Sequence, residues 1–249
     1  PRYAEWNYGP QLWMLNLLDV LHQTETPIYS QLNIRMAHQM FEESRISRNL
    51  NSDDRSIQSE QVQAYSLNID FRKTLGEKHQ IYYGLEGIFN DVFSSGLTQN
   101  IRTNAESKTA ARYPRANWAT AGAYLTYRFR PIEKISLQGG IRYSHFFLNA
   151  DFDTTFFPLP FTQAKLNDGA VTGSLGFVYN PTKKWSVSIN GSTGFRSPNV
   201  DDIGKVFDSE PGAVVVPNPS LKAEYAYNAE AGVAKVFGKS VKLFGYSII

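Results

Sequence analysis

The chain has 249 residues, with 25 Lys and Arg against 23 Asp and Glu, and a net charge of +2 that gives no electrostatic case for nucleic acid or another polyanionic partner. Cysteine is absent, which excludes disulfide scaffolds, thiolate metal sites and cysteine nucleophiles together. Mean hydropathy is −0.35, and the longest strongly apolar stretch, Leu12 to Leu18, is broken by Asn16, well short of the roughly 20 residues a spanning helix needs.

The dominant period along the chain is 2. Residues 12–21 are apolar on both parities and read as a weak strand or a short helix. Further on, Tyr65, Leu67, Ile69 and Phe71 alternate with Ser66, Asn68, Asp70 and Arg72, and the stretch from Ile81 to Phe89 alternates in the same way. Ala119, Ala121, Ala123, Leu125, Tyr127 and Phe129 interleave with Trp118, Thr120, Gly122, Tyr124, Thr126 and Arg128. The split recurs from Ile135 to Ser144, Val171 to Tyr179, Trp185 to Ile189 and Tyr225 to Val233. Such alternation puts one class of residue on each face of a pleated sheet. About ten strands are expected, with no long helix.

Connections alternate in length. Short turns are expected near Thr24, Gly76, Ile132, Thr182 and Gly238, and long loops over residues 44–60, 95–116, 150–168 and 197–223. In an up-and-down meander this places all the long loops at one end. Eight of the twelve lysines (Lys73, Lys78, Lys134, Lys183, Lys184, Lys235, Lys239 and Lys242) lie in or near the short turns.

Alternation alone does not say whether the apolar face meets protein or lipid. The asymmetry of the connections, the aromatics at strand ends (Phe71, Tyr127, Phe129, Tyr179, Trp185, Tyr225), and the charges on the other face (Asp70, Glu86, Arg128, Arg142, Glu230) suit a membrane barrel. Several strands also reach 12 or more alternating residues, beyond the usual five or six of globular sheets. The alternative is a soluble β-sandwich or propeller, although no residue motif repeats at the 50–57-residue spacing of the short turns. The chain carries no signal-peptide pattern and stops inside the alternation from Val241 to Ile249, so it is expected to be part of a longer protein.

Catalytic constellations are not evident in the sequence. His22, His38, His79 and His145 are too far apart for a metal-ligand pair and read as polar or interfacial strand residues. Gly191-Ser192-Thr193-Gly194 opens no helix and has no lysine, against a phosphate cradle. Asn190-Gly191-Ser192 fits a glycosylation sequon but falls within a strand. Asp53-Asp54 and Asp201-Asp202 lack EF-hand spacing and read as solvated loops rather than calcium ligands.

One region is more specific. Ser192-Thr193-Gly194-Phe195-Arg196-Ser197-Pro198-Asn199 precedes a long loop, and Pro217-Asn218-Pro219-Ser220-Leu221-Lys222-Ala223-Glu224 follows it. This pair of boxes resembles that in the barrel of TonB-dependent outer-membrane receptors, departing at Ser197, where Ala is usual, and at Ala223, where Pro is usual. Phe195, Arg196, Pro198, Asn199, Asn218, Pro219, Leu221 and Glu224 carry the resemblance. It implies an all-β, antiparallel, up-and-down transmembrane barrel portion, with residues 1–249 forming about ten strands of a larger, 22-stranded barrel. Short periplasmic turns, long extracellular loops, and no plug, signal peptide or closing strands within the chain go with it.

The resemblance further implies a non-enzymatic receptor that takes up a chelated nutrient of the iron–siderophore, heme or cobalamin class, with no cofactor and no resident metal. Outer-membrane lipid, a small chelate and a TonB-type energy-coupling protein acting through the plug are its implied partners, and the complete barrel is expected to be monomeric. A passive porin-type channel is the alternative reading, and a soluble β-sheet binding protein or adhesin a third. With odd positions outward on the strands flanking loop 197–223, Arg196 and Glu224 both point inward at the loop base, and an ion pair between them is expected. Receptors of this family that take heme from haemoglobin often carry a His between the boxes, and residues 199–217 contain none. Loop 150–168 is apolar and aromatic, making Phe152, Phe156, Phe157 and Phe161 candidates for ligand contact.

Overall fold

The computed structural model describes residues 2–156, 159, 161–204, 207–210, 213–215, 218, 221–238 and 241–248. Its strands are β1 (Tyr3–Tyr8), β2 (Leu12–Gln23), β3 (Gln31–Asn49), β4 (Asp54–Leu75), β5 (His79–Asn100), β6 (Glu106–Thr109) and β7 (Arg115–Ile132). These are followed by β8 (Ile135–Asp151), β9 (Gln163–Thr182), β10 (Trp185–Arg196), helix α1 (Val200–Gly204), β11 (Phe207–Glu210), β12 (Ala213–Val215), β13 (Glu224–Phe237) and β14 (Val241–Ile248).

Twelve strands form one antiparallel sheet in the order β1-β3-β4-β5-β7-β8-β9-β10-β13-β14, with β2 beside β3 and β6 beside β5, while β11 and β12 make a separate hairpin. β1 and β2 pair with opposite ends of β3, as one strand broken near Gly9 and Pro10. β6 and β7 likewise share β5. Counted by position across the sheet, these are the ten strands expected from alternation. Residues 12–21 are strand rather than helix. Among the described residues the sheet is open, with β2 and β14 exposed along their whole length.

Three of the four long loops are shorter than expected, and the one over 150–168 shrinks to residues 152–162 because β9 starts at Gln163. Residues 44–60 are mostly strand, because β3 and β4 run on in register to a turn over residues 50–53. Residues 95–100 continue β5, and β6 folds back on them. The polar residues there lack the apolar alternation that marks a strand, yet backbone pairing needs no apolar face where both sides meet water. β4 and β5 each have 22 residues, about twice the 9–11 that cross a bilayer, so in a barrel that spans one this part of the sheet would project well beyond it.

The two faces differ sharply. Tyr65, Leu85, Leu125, Tyr143, Val171, Leu175, Ile189 and Tyr227 all lie exposed on one face, a surface that water would not tolerate over this extent. The opposite face is polar through most of its height. There Arg35 reaches Asp70 at 3.1 Å and Tyr124 donates to the same carboxylate at 2.6 Å. Arg142 bonds Glu86 at 2.7 Å and Ser144 at 2.8 Å. Gly84 and Gly122 clear space for this network: a Cβ at Gly84 would lie 2.9 Å from the Tyr124 hydroxyl, and one at Gly122 would collide with the Arg142 guanidinium. The histidines all sit against rings: His38 stacks on Tyr65 at 4.7 Å, His79 on Phe129 at 4.8 Å, His145 lies 4.3 Å from Phe147, and His22 meets Tyr29.

Candidate functional site: the long-loop mouth

The buried core of the described chain lies on the polar face, at the long-loop end. Register carries one row straight across six strands there: Phe41, Val62, Val92, Ala116, Ala150 and Ala164. Trp13 extends the row onto β2, although it and Phe41 are exposed at this edge of the sheet and the buried part starts at Val92. Phe146 and Leu148 sit just below it, and Leu148 is 0% exposed. This belt is apolar on the face that is polar lower down, so it needs a cover.

Helix α1 supplies part of that cover. Val200 and Ile203, three residues apart on one side of a single turn, are 7% and 0% exposed and belong to the buried cluster. Tyr113, Trp118, Phe152, Leu166 and Leu221 pack around it. A five-residue helix has little intrinsic stability, and its start is held by a reciprocal cap. The Asn199 side-chain oxygen accepts from the Asp202 N–H at 2.9 Å, while the Asp202 carboxylate accepts from the Asn199 N–H at 3.0 Å. Each side chain thus satisfies a backbone donor that the first turn leaves free.

Asp202 has a second role. One Arg196 guanidinium nitrogen donates to both of its oxygens, at 2.7 and 2.6 Å. Glu224 stands 3.9 Å from another nitrogen of that guanidinium, in ion-pair range but beyond a hydrogen bond. The expected Arg196–Glu224 pair is therefore the long arm of a triad whose short arm is Asp202, which is exposed but lies in helix α1 rather than a loop. Partial burial alone would raise the Asp202 carboxyl, but the Asn199 N–H and the Arg196 guanidinium hold it below its usual 3.8. Nearby, burial and then a hydrogen bond to Asp201 push the Tyr113 hydroxyl up to about 12.

The other motif residues fall around this joint. Pro198 is buried beside the helix start, Phe195 lies 6.3 Å from Tyr225 on the outer face, Leu221 packs on the core and Asn218 is exposed. Pro219 lies outside the described residues. Of the aromatic loop candidates, Phe152 joins the core and meets Phe161 edge-on at 5.3 Å, whereas Phe156 is 39% exposed. Phe157 lies outside the described residues. A cavity of about 240 Å³ separates this loop from residues 110–115 and is lined by Arg112, Tyr113, Arg115, Phe152, Asp153 and Phe156. Sequence reasoning missed Asp202, although the Asn199-x-x-Asp202 spacing is a capping-box signal. It also missed the inner belt, which Phe146-Phe147-Leu148 announces by being apolar on both parities.

A lipid-compatible outer face, a charged inner face and a helix between the two boxes that packs on the inner belt are barrel features. The family model for TonB dependent receptor-like β-barrels matches residues 4–247. The chain belongs to this family. Its exposed face accordingly meets the lipid of a Gram-negative outer membrane, with short turns in the periplasm and long loops outside. No curated protein sequence matches the chain. Among solved structures, the copper transporter OprC is similar over 98% of this chain and 39% of its own, with TM-score 0.79 and 11% identity. The ferric yersiniabactin uptake receptor FyuA of Yersinia pestis is similar over 96% and 35%, with TM-score 0.65 and 16% identity. The hemophore receptor HasR of Serratia marcescens, solved with its hemophore HasA and heme, is similar over 96% and 39%, with TM-score 0.67 and 13% identity. The chain thus spans well under half the length of these structures, and at such identities the likeness concerns the fold.

Proposed function

We propose that this chain is barrel wall and recognition mouth of an active-transport receptor for a chelated nutrient, of the iron–siderophore, heme or cobalamin class. Membership of the TonB-dependent family over residues 4–247 carries the reading. The neighbouring folds include a copper transporter, a ferric yersiniabactin receptor and a hemophore receptor, which supports a metal chelate as cargo. The described site residues suit positioning rather than reaction: Arg196, Asn199 and Asp202 fasten a loop, and exposed Phe156 is offered beside Arg112 and Arg115. Energy would come from a TonB-type protein acting through a plug.

The test is uptake by a strain deleted for the whole gene and complemented with it. Growth on one iron chelate, heme or cobalamin should depend on the gene and should collapse with a protonophore. Uptake that survives the protonophore would support the porin reading instead. In the complemented strain, Phe156→Ala should weaken binding of that cargo roughly tenfold, as loss of a large aromatic contact does; unchanged affinity would remove Phe156 from the contact surface.

A further inference from the structure

The lysines that crowd the short turns lie at the end of the sheet opposite the candidate mouth. In three successive turns one lysine holds an equivalent place. The carbonyls of Lys78, Lys134 and Lys184 accept from the N–H groups of Arg130, Asn180 and Val236, at 2.8, 2.7 and 2.8 Å. Successive turns are two strands apart, roughly 10 Å across the sheet, so these residues form a regular row along the periplasmic rim. Glu77 and Glu133 precede the first two lysines, but the third turn is Lys183-Lys184 with no acid. Among the described residues Lys73 is salt-bridged, to Glu25 at 3.1 Å, whereas Lys78, Lys134, Lys183, Lys184 and Lys235 have no such partner.

Lys235 fixes where the positive charge meets the membrane. It lies directly opposite Trp185 across the β10–β13 ladder. Its ammonium is 4.6 Å from the ring centroids of both Trp185 and Phe237. Both rings are exposed on the lipid face, at 39% and 44%. An ammonium held between two rings at an aromatic girdle sits at headgroup depth, with its stem along apolar surface.

We propose that Lys183, Lys184 and Lys235 form a binding site for an anionic phospholipid of the periplasmic leaflet. The phosphate is drawn to the three ammoniums while an acyl chain lies along Trp185 and Phe237. The flanking rings select a lipid over a free phosphate, since only a lipid covers them as it delivers the charge. This site is independent of the cargo reading and rests only on the barrel's membrane orientation.

The full-length receptor, in nanodiscs of mixed phosphatidylglycerol and phosphatidylcholine, tests it by native mass spectrometry of retained lipid. Each ammonium should contribute about a fivefold preference for the anionic lipid at low ionic strength. The triple variant K183Q/K184Q/K235Q should therefore lose about a hundredfold, and K183R/K184R/K235R should keep the preference. Inorganic phosphate at matched ionic strength should compete no better than chloride. Equal retention of the two lipids by the native receptor would overturn the proposal, as would a triple Gln variant that retains the anionic lipid normally. Loss of retention in R128Q/R130Q, on the inner wall, with the triple variant unaffected would place the anion site in the lumen and overturn it equally.

Discussion

Asp202→Ala tests how the mouth is fastened. The substitution removes the back-bond to the Asn199 N–H and both short contacts from Arg196. A capping interaction contributes about 1 kcal/mol, with a range up to about 2, and the contact from the exposed Arg196 is screened by water and adds little. The loss should therefore be about 1–2 kcal/mol. Burial of Val200 and Ile203 stabilises the docked helix by roughly 1.5–3 kcal/mol for each side chain, so α1 stays docked but opens more often. Exchange of the Ile203 amide, which bonds the Asn199 carbonyl at 3.2 Å, reports that opening. Hydrogen–deuterium exchange on the full-length receptor in detergent should show it accelerated about 5- to 30-fold. Glu224→Gln, which alters only the 3.9 Å contact, should change it less than twofold. Equal effects from the two variants, or none from Asp202→Ala, would refute the assignment of Asp202 as the fastening residue.

Three further outcomes follow from the same geometry. Ala123→Arg puts a guanidinium on the exposed face and should cost about 2–4 kcal/mol near the membrane midplane, seen as a lower unfolding midpoint in urea with liposomes; a cost under about 0.5 would mean that the face does not meet lipid. Gly84→Ala, whose Cβ would lie 2.5 Å from the Ile69 carbonyl oxygen and 2.9 Å from the Tyr124 hydroxyl, should cost about 1–3 kcal/mol in the same assay, whereas Gly87→Ala, with nothing near its Cβ, should be close to neutral. Because the Asp202 carboxyl is held below its ordinary value in the folded mouth, its contribution is present above pH 3.8 and is lost as pH falls through the lowered folded value. Protection of the Ile203 amide should fall across that acid window in the native receptor and show a smaller acid step in Asp202→Ala.

Period-2 alternation determined the strand class, the ten positions across the sheet and the assignment of faces, because side-chain direction in a strand follows from position alone. Turn chemistry likewise placed the short connections, and the paired boxes around loop 197–223 marked the family. Strand length was not legible where residues 44–60 are polar, since there the extension is held by backbone pairing that any sequence can make. The partner of Arg196 was not legible either. Glu224 lies opposite it across the ladder, as counting along the strands requires, but a one-turn helix brings Asp202 nearer. The inner belt is a matter of register: Val62, Val92, Ala116 and Ala150 are scattered through the sequence and become one surface only when the strands align. Sequence by itself set what each strand shows to either side. Tertiary structure alone decided which of those residues meet, because cross-strand contact depends on alignment between distant segments, which local pattern does not encode.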